Sequence, residues 1–363
     1  MNNKLLSVRQ AVFWIVLSQV GSGLLLMSTA LAKTAKQDAW LSVLFSLATT
    51  LLCIPIFISI ANRMNGKSFV LYISSLLGKF GGRSLLCFFI FAYPFLIFIL
   101  TLRDLSDFIT TVISPETSSN VTNILMLVAV YFGVRSGVTV IGRSAELLFF
   151  IVVVIFIFVS VSLIYDLNIK TLLPVFEHGW KPIVEASLQL TAFPYLETIL
   201  YLFFVPHLAK KGEWKKVVIQ STLISGFLYF SVVLLTVATL TQQIAANATY
   251  ATYFVVRTIS IAGFVERFEV LVTILWFVAI FFRLCLLMYV TILGLSEIFK
   301  LKESNMLIIP LSLIALAVSS FIWPNMAFLY AFLEVWPYYA ILVGTVFPIV
   351  IWIIGGIKGM SRT

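Results

Sequence analysis

Long apolar runs separated by short polar segments recur along the whole chain. Because an α-helix needs about 20 consecutive apolar residues to cross a bilayer, each run predicts one transmembrane helix. We number these span one to span ten, near residues 11–31, 40–60, 85–109, 121–139, 147–165, 183–205, 217–240, 270–295, 305–322 and 335–356. Span four is the weakest, since its uncharged stretch ends at Val134. The prediction is therefore about ten spans.

Two further segments are apolar but differ from a span. Between spans two and three, apolar residues recur every three or four positions and basic residues flank them, which predicts an amphipathic helix on the membrane surface. Its apolar positions are Phe69, Tyr72, Ile73, Leu76, Leu77 and Phe80. The segment 241–269 is too rich in aromatic and branched residues for a free loop. We expect short helices there, capping the outer face.

Composition leads to the same class as the pattern does. Hydrophobic residues make up 61% of the 363 residues and charged residues 11%, and the mean hydropathy is +1.09. Too few polar side chains remain to coat a soluble globule. The sequence predicts an integral membrane protein with one transmembrane domain, residues 1–363, embedded in the lipid bilayer.

The positive charges are distributed unequally between the two sides of the predicted membrane. Of the 24 lysines and arginines, sixteen flank the spans on one side and six on the other, while Arg103 and Arg283 lie within spans. Loops rich in lysine and arginine stay in the cytoplasm, so both termini are expected there. The net charge of +9 is spread over these short loops. It indicates topology and no nucleic-acid partner.

Span one and span six each contain a helix-breaking sequence. Gly21-Ser22-Gly23 interrupts span one, and Phe193-Pro194 interrupts span six. Ten spans divide into two sets of five, residues 1–166 and 167–363, and an odd number per set inverts the second half. Broken helices at corresponding places are typical of the LeuT-like five-plus-five inverted repeat, in which they line the binding site.

Span six carries a carboxylate near the middle of the bilayer. At α-helical spacing Phe193, Glu197 and Tyr201 share one face, and Tyr195 lies beside the break. An ionised Glu197 must be paired, bound to a cation or in contact with water, because an unpaired charge at this depth is costly. A neutral glutamate bonded to a neighbouring helix is the structural alternative.

Arg283 is the corresponding cation, about fourteen residues into span eight. It must face the protein interior. There it either binds an anionic group of a ligand or neutralises Glu197 or Glu146. The glycines of span one likewise allow two interpretations, close approach of a ligand to the backbone or close packing of helices.

Charged residues near the outer surface favour a structural role or a gate. Arg103 and Asp107 lie one helical turn apart at the end of span three, which allows them to neutralise one another. Arg267, between two glutamates before span eight, has the same interpretation.

No motif in the sequence assembles a catalytic centre. The two histidines fall in predicted loops, the three cysteines fall in spans without metal-ligand spacing, and nucleotide-binding and hydrolase motifs are missing. We therefore predict no enzyme, no catalytic residue, no metal site and no cofactor.

The order of these features resembles the GerAB-type B subunits of spore germination receptors, a branch of the amino acid, polyamine and organocation transporter superfamily. The resemblance extends over essentially the entire chain. The matching stretches are Gln19 to Leu25, Arg103 with Asp104 and Asp107, Leu173-Pro174-Val175, Val205-Pro206-His207, Phe264 to Glu269, Trp276 and Trp323-Pro324.

This resemblance implies a polytopic subunit of the spore inner membrane that senses a small-molecule germinant, commonly an amino acid, beside A-type and C-type subunits. It implies a ligand pocket among spans one, three, six and eight. Carried over to this chain, the pocket comprises Gly21, Ser22, Gly23, Tyr93, Phe193 and Tyr195. Glu197 and Arg283 join them on the burial argument alone.

An amino acid permease coupled to protons or another ion is the alternative function. Proton-coupled relatives carry a lysine in span five that stands in for a sodium ion, and span five lacks one here. That difference favours a receptor over a pump.

Overall fold

The computed structural model describes residues 5–21, 23–258 and 268–360, and within them the chain is built from helices with no β-strand. The first half contains α-helices α1 to α8, at Val8–Val20, Gly23–Ala35, Ala39–Arg63, Phe69–Leu77, Lys79–Ile90, Leu96–Phe108, Ser119–Arg135 and Val138–Leu163. The second half contains α9 to α16, at Lys181–Ala192, Trp214–Leu240, Gln242–Asn247, Ala251–Arg257, Glu269–Phe299, Ile308–Phe321, Met326–Ile341 and Phe347–Met360. The predicted all-α class is confirmed.

Each predicted span coincides with helical structure. Within the described residues, eight helical segments are long and apolar enough to cross a membrane, and one of them, Gly23–Arg63, joins the second half of span one to span two. α1 and α7, in spans one and four, are shorter apolar helices of 13 and 17 residues. The protein is thus a polytopic membrane protein, while the count of ten crossings and the inverted repeat stay predictions.

Spans one and six lie in the interior of the bundle. α1 packs against α8, α10 and α13, and α2 packs against α9, α11 and α12. In span six, every residue from Tyr195 to Val205 is buried. Outer helices such as α8 and α14 instead expose large apolar side chains. Broken backbone is tolerated at membrane depth only where protein surrounds it, and here the two breaks meet that condition.

The two further apolar segments, between spans two and three and at 241–269, both contain helices. α4 is the predicted helix, but it buries Phe69, Tyr72, Ile73 and Leu76 within the protein, and its place on the membrane surface stays a prediction. Phe80 does not continue this face. Gly78, with a φ of +83°, separates α4 from α5, so Phe80 lies in the first turn of α5 and is 87% exposed. In segment 241–269, α11 and α12 are the expected short helices. Residues 259–267 of this segment lie outside the described part.

Candidate ligand site at the broken helices

The break in span one leaves two backbone carbonyls that side chains from other helices bond. α1 ends at Val20 and α2 begins at Gly23. The carbonyl of Ser18 accepts a hydrogen bond from Nη1 of Arg283 at 3.1 Å, and the carbonyl of Gln19 accepts one from the Tyr229 hydroxyl at 2.7 Å. Side chains of α13 and α10 thus supply donors to these two carbonyls beside the break.

The glycines at this break are required by close packing. A Cβ atom on Gly21 would lie 2.9 Å from Cδ of Arg283, and one on Gly23 would overlap the Tyr229 hydroxyl. Both added atoms would be closer than ordinary van der Waals contact. No residue with a Cβ atom therefore fits at Gly21 or Gly23 unless Arg283 or Tyr229 moves. Ser22, the third predicted residue of the break, lies outside the described residues.

The break in span six separates two kinds of helix. α9 ends at Ala192, Phe193 is extended with φ −143° and ψ 108°, and after Pro194 a 3₁₀-helix runs from Tyr195 to His207. A 3₁₀-helix has 3.0 residues per turn, so residues four apart diverge by about a third of a turn. The predicted shared face of Phe193, Glu197 and Tyr201 assumed α-helical spacing and was wrong for this segment.

Glu197 and Arg283 form a fully buried ion pair between these two breaks. Nη1 of Arg283 lies 2.9 Å from Oε2 of Glu197, and Nη2 lies 2.6 Å from Oε1. The two side chains are 1% and 0% exposed. Of the two partners that the sequence left open for neutralising Arg283, the structure selects Glu197. Glu146 instead pairs with Arg9 and accepts a hydrogen bond from Gln10 at 3.1 Å.

The guanidinium of Arg283 also connects spans one, three, six and eight. Besides Glu197 and the Ser18 carbonyl, its Nε donates to Oγ1 of Thr101 at 3.2 Å. Its Cζ lies over the Phe193 ring, 4.7 Å from the centroid. Four of its five N–H donors are thereby engaged. Arg283 is the point at which the four helices meet.

Several buried polar groups beside this pair have no hydrogen-bond partner among the described residues. They are Oγ of Ser18, the side-chain amide of Gln19 and the hydroxyls of Tyr93, Tyr195 and Tyr201. The Tyr201 hydroxyl faces Gln19 without reaching hydrogen-bond geometry. Each buried polar group without a partner costs about 1–3 kcal/mol. Because these groups have no partner, they are available to hydrogen-bond polar atoms of a ligand or of water.

A small cavity borders the site on the side of spans three and ten. Its volume is about 30 Å³, and Thr101, Asp104, Phe193, Trp323 and Trp336 are among its lining residues. Since one water needs about 10–15 Å³ by such a measure, the cavity has room for about two waters. A small-molecule pocket is typically ten or more times larger. The site is therefore closed in this conformation.

Tyr93 belongs to the surroundings of this cavity. It lies in a π-helical turn, Phe91–Phe95, that contains Pro94. Its ring is buried and stacks on Trp336 at a centroid distance of 6.5 Å. Pro94 supplies no N–H donor, which explains the widened turn at this point of span three.

The predicted outer charge cluster ties span three to the segment after span nine. Nε of Arg103 donates to Oδ1 of Asp107 at 2.9 Å, and Nε1 of Trp323 donates to Oδ2 at 2.7 Å. Nη1 of Arg103 reaches the carbonyls of Ser319 and Ser320, both at 3.2 Å. This cluster forms one wall beyond the cavity. Arg267, assigned the same role from the sequence, lies outside the described residues.

A backbone contact joins two segments at the opposite end of the bundle, and no sequence pattern indicates it. Leu6 forms an isolated parallel bridge with Leu208. The N–H of Leu6 donates to the His207 carbonyl at 2.8 Å, and the N–H of Ala209 donates to the Leu6 carbonyl at 2.9 Å. The residues before span one are thereby joined to those after span six.

Thr101 and Tyr229 are the site residues that sequence reasoning missed. Each is a polar group within an apolar span, which is the only signal the sequence offers for them. Six of the predicted residues lie together at the two breaks, namely Gly21, Gly23, Phe193, Tyr195, Glu197 and Arg283, with Tyr93 beside them. Their role in ligand binding stays a prediction.

Comparison with known proteins identifies relatives across most of the chain. A family described as spore germination protein matches residues 5–327. Spore germination protein KB of Bacillus subtilis is 27% identical over 325 residues, covering 88% of this chain and 86% of that protein. Spore germination protein B2 of the same organism is 25% identical over 302 residues, with 83% and 81% covered. Spore germination protein GerQB of Bacillus cereus is 25% identical over 315 residues, with 86% and 85% covered.

Proposed function

The chain belongs to the spore germination protein family, and from that premise we propose that it is the B subunit of a germinant receptor that binds a small amino acid at the two helix breaks. A-type and C-type receptor subunits are its proposed partners. Its proposed location is the spore inner membrane, with both termini in the cytoplasm. The observation that carries the proposal is the buried Glu197–Arg283 pair at the junction of spans one, three, six and eight.

The charges of this pair match those of an α-amino acid. Together Glu197 and Arg283 are neutral, and a zwitterionic ligand is neutral as well. Its carboxylate can face Arg283 and its ammonium group Glu197, so neither buried charge loses a partner when the ligand enters. An anionic or cationic ligand would leave one uncompensated charge, which costs several kcal/mol at such a site.

Binding would require a change of conformation, because the adjoining cavity of about 30 Å³ does not hold an amino acid. A ligand that prefers the open conformer a hundredfold shifts the equilibrium by about 2.7 kcal/mol. Spans one and six meet the other helices at Arg283, so their displacement would accompany entry of the ligand. Neighbouring subunits would detect that displacement.

The alternative, an amino acid permease coupled to protons or another ion, uses the same site. In the described conformation both oxygens of Glu197 are bonded to Arg283. Arg283 therefore occupies the position at which a coupled ion would neutralise the Glu197 carboxylate. Span five has no lysine that could take the place of such an ion. These two observations favour the receptor.

The experiment is a thermal-shift screen of the purified chain in detergent against amino acids, sugars and nucleosides. Ligand at 100 times its Kd stabilises the folded state by about 2.7 kcal/mol. Glu197→Gln with Arg283→Met serves as the key variant, because it removes both charges together and avoids the unpaired charge of a single substitution. We expect it to fold and to lose the response.

Two outcomes would contradict the proposal. One is stabilisation of the double variant by the same amino acid to the same extent, and the other is no amino acid response even when A-type and C-type subunits are co-purified. Uptake of labelled amino acid into vesicles that contain this chain alone would favour the permease.

A further inference from the structure

A concave surface larger than the cavity beside the ion pair lies at the start of span three. It is a groove of about 600 Å³ between the beginning of α5 and the end of α13. Its lining consists of Lys79, Phe80, Arg83, Ser84, Cys87, Phe88, Ile298 and Phe299. The groove belongs to the lysine- and arginine-rich side of the predicted membrane.

Two cations line this groove without a counter-charge. Lys79 and Arg83 are one helical turn apart on α5 and thus share a face. Among the described residues neither forms an ion pair, and no acidic side chain contributes to the lining. Such a surface has a net charge of +2 and attracts an anion.

The beginning of α5 adds backbone donors at the same place. The N–H groups of its first turn have no acceptor within the helix, and Gly78 supplies no side chain to cap them. The packing of α4 fixes this turn, since a Cβ on Gly82 would lie 2.8 Å from the Ser74 backbone. Cations and amides are therefore held on a rigid frame.

The rest of the groove is apolar and open to the surroundings. Phe80, Phe88 and Phe299 are 87%, 71% and 60% exposed. A soluble anion would make no contact with these rings, whereas an acyl chain can lie against them. One molecule that has an anionic head and an apolar tail satisfies both halves of the groove.

We propose that this groove binds an anionic phospholipid from the leaflet on the lysine- and arginine-rich side. The phosphate lies at Lys79, Arg83 and the first turn of α5, and an acyl chain lies along Phe80, Phe88 and Phe299. The proposal does not depend on the germinant site.

The test measures lipid binding to the purified full chain by native mass spectrometry, with titrated phosphatidylglycerol and phosphatidylcholine as probes. A basic residue that contacts the phosphate contributes about 1 kcal/mol, which is about fivefold in affinity. Lys79→Gln with Arg83→Gln should therefore weaken phosphatidylglycerol binding about 25-fold and leave phosphatidylcholine binding unchanged. The single substitutions, each about fivefold, provide the same test if the double variant does not fold.

The matched control is Lys210→Gln with Lys302→Gln, which removes the same charge on the same side but outside the groove. The control should bind phosphatidylglycerol as the unmodified chain does, and excess glycerol 3-phosphate should not displace the lipid. Equal weakening in the control, no weakening in the groove variants, or displacement by glycerol 3-phosphate at comparable concentration would each overturn the proposal.

Discussion

At the residue scale, the side chains packed against the break of span one restrict two of its positions to glycine. Gly21 adjoins Arg283, and Gly23 adjoins Tyr229, which in turn bonds the carbonyl that the break releases. The two interpretations of these glycines, ligand approach and helix packing, are therefore not exclusive. Packing explains both glycines in the closed conformation.

Gly23 and Tyr229 give a prediction at this scale. Gly23→Ala should destabilise the protein by about 1–3 kcal/mol, because the added methyl group overpacks the Tyr229 hydroxyl. Tyr229→Phe alone should cost about 1 kcal/mol through loss of its hydrogen bond. Combined, the two should cost less than their sum, since the phenylalanine leaves more room for the methyl group. Unfolding in detergent measures this double-mutant cycle.

Gly212→Ala is the control, since a Cβ at Gly212 meets open space, and we expect it to be neutral. Strictly additive costs for Gly23→Ala and Tyr229→Phe would show that the two positions do not interact.

At the scale of elements, the described helices are joined by polar contacts at both ends of the bundle. At the end predicted to face outward, Arg103, Asp107 and Trp323 connect α6 to the segment after α14. On the other side, the bridge between Leu6 and Leu208 connects the start of α1 to the end of the 3₁₀-helix of span six. If either connection is a gate, we expect opening of the site from that end to break it.

Asp107 provides the prediction at this scale. Asp107→Asn places an amide N–H against one of two donors, Arg103 or Trp323, and so leaves a buried donor without an acceptor. We expect a loss of about 1–3 kcal/mol in unfolding free energy, measured in detergent.

The control for Asp107→Asn is Glu185→Gln, which removes the carboxylate of an exposed ion pair with Lys181 at 3.8 Å. An exposed pair of this kind contributes between about 0 and 1 kcal/mol. If the two substitutions have equal effects, the outer cluster does not stabilise the closed bundle.

At the scale of the whole molecule, spans one and six lie inside the described bundle together with α13, and helices such as α8 and α14 lie outside. The single transmembrane domain over residues 1–363 stays a prediction. The division into repeats at residue 166 and the inversion of the second half remain predictions.

Orientation is the prediction at this scale. In a variant without Cys53, Cys87 and Cys285, a cysteine at Lys302 should react with an impermeant maleimide only from the cytoplasmic side, and one at Asn247 only from the outer side. The reason is the excess of lysine and arginine in the loops on the side of Lys302. Labelling in sealed and in permeabilised membranes distinguishes the sides. The reverse result would place both termini outside.

The sequence by itself determined the helical membrane class, the place of each span and the position of both breaks. These features depend on local properties, namely apolar length, glycine conformation and the missing N–H of proline. The resemblance to spore germination receptor B subunits, which the comparisons confirm at the level of the family, also needed only residue order.

Only the tertiary structure decided which charges pair, because Glu197 and Arg283 are 86 residues apart and either had more than one possible partner. It also showed that span six continues after its break as a 3₁₀-helix, in place of the predicted α-helical face. It also brought Thr101 and Tyr229 to the breaks and joined Leu6 to Leu208. Contacts of this kind depend on how distant helices pack, and no local pattern specifies that.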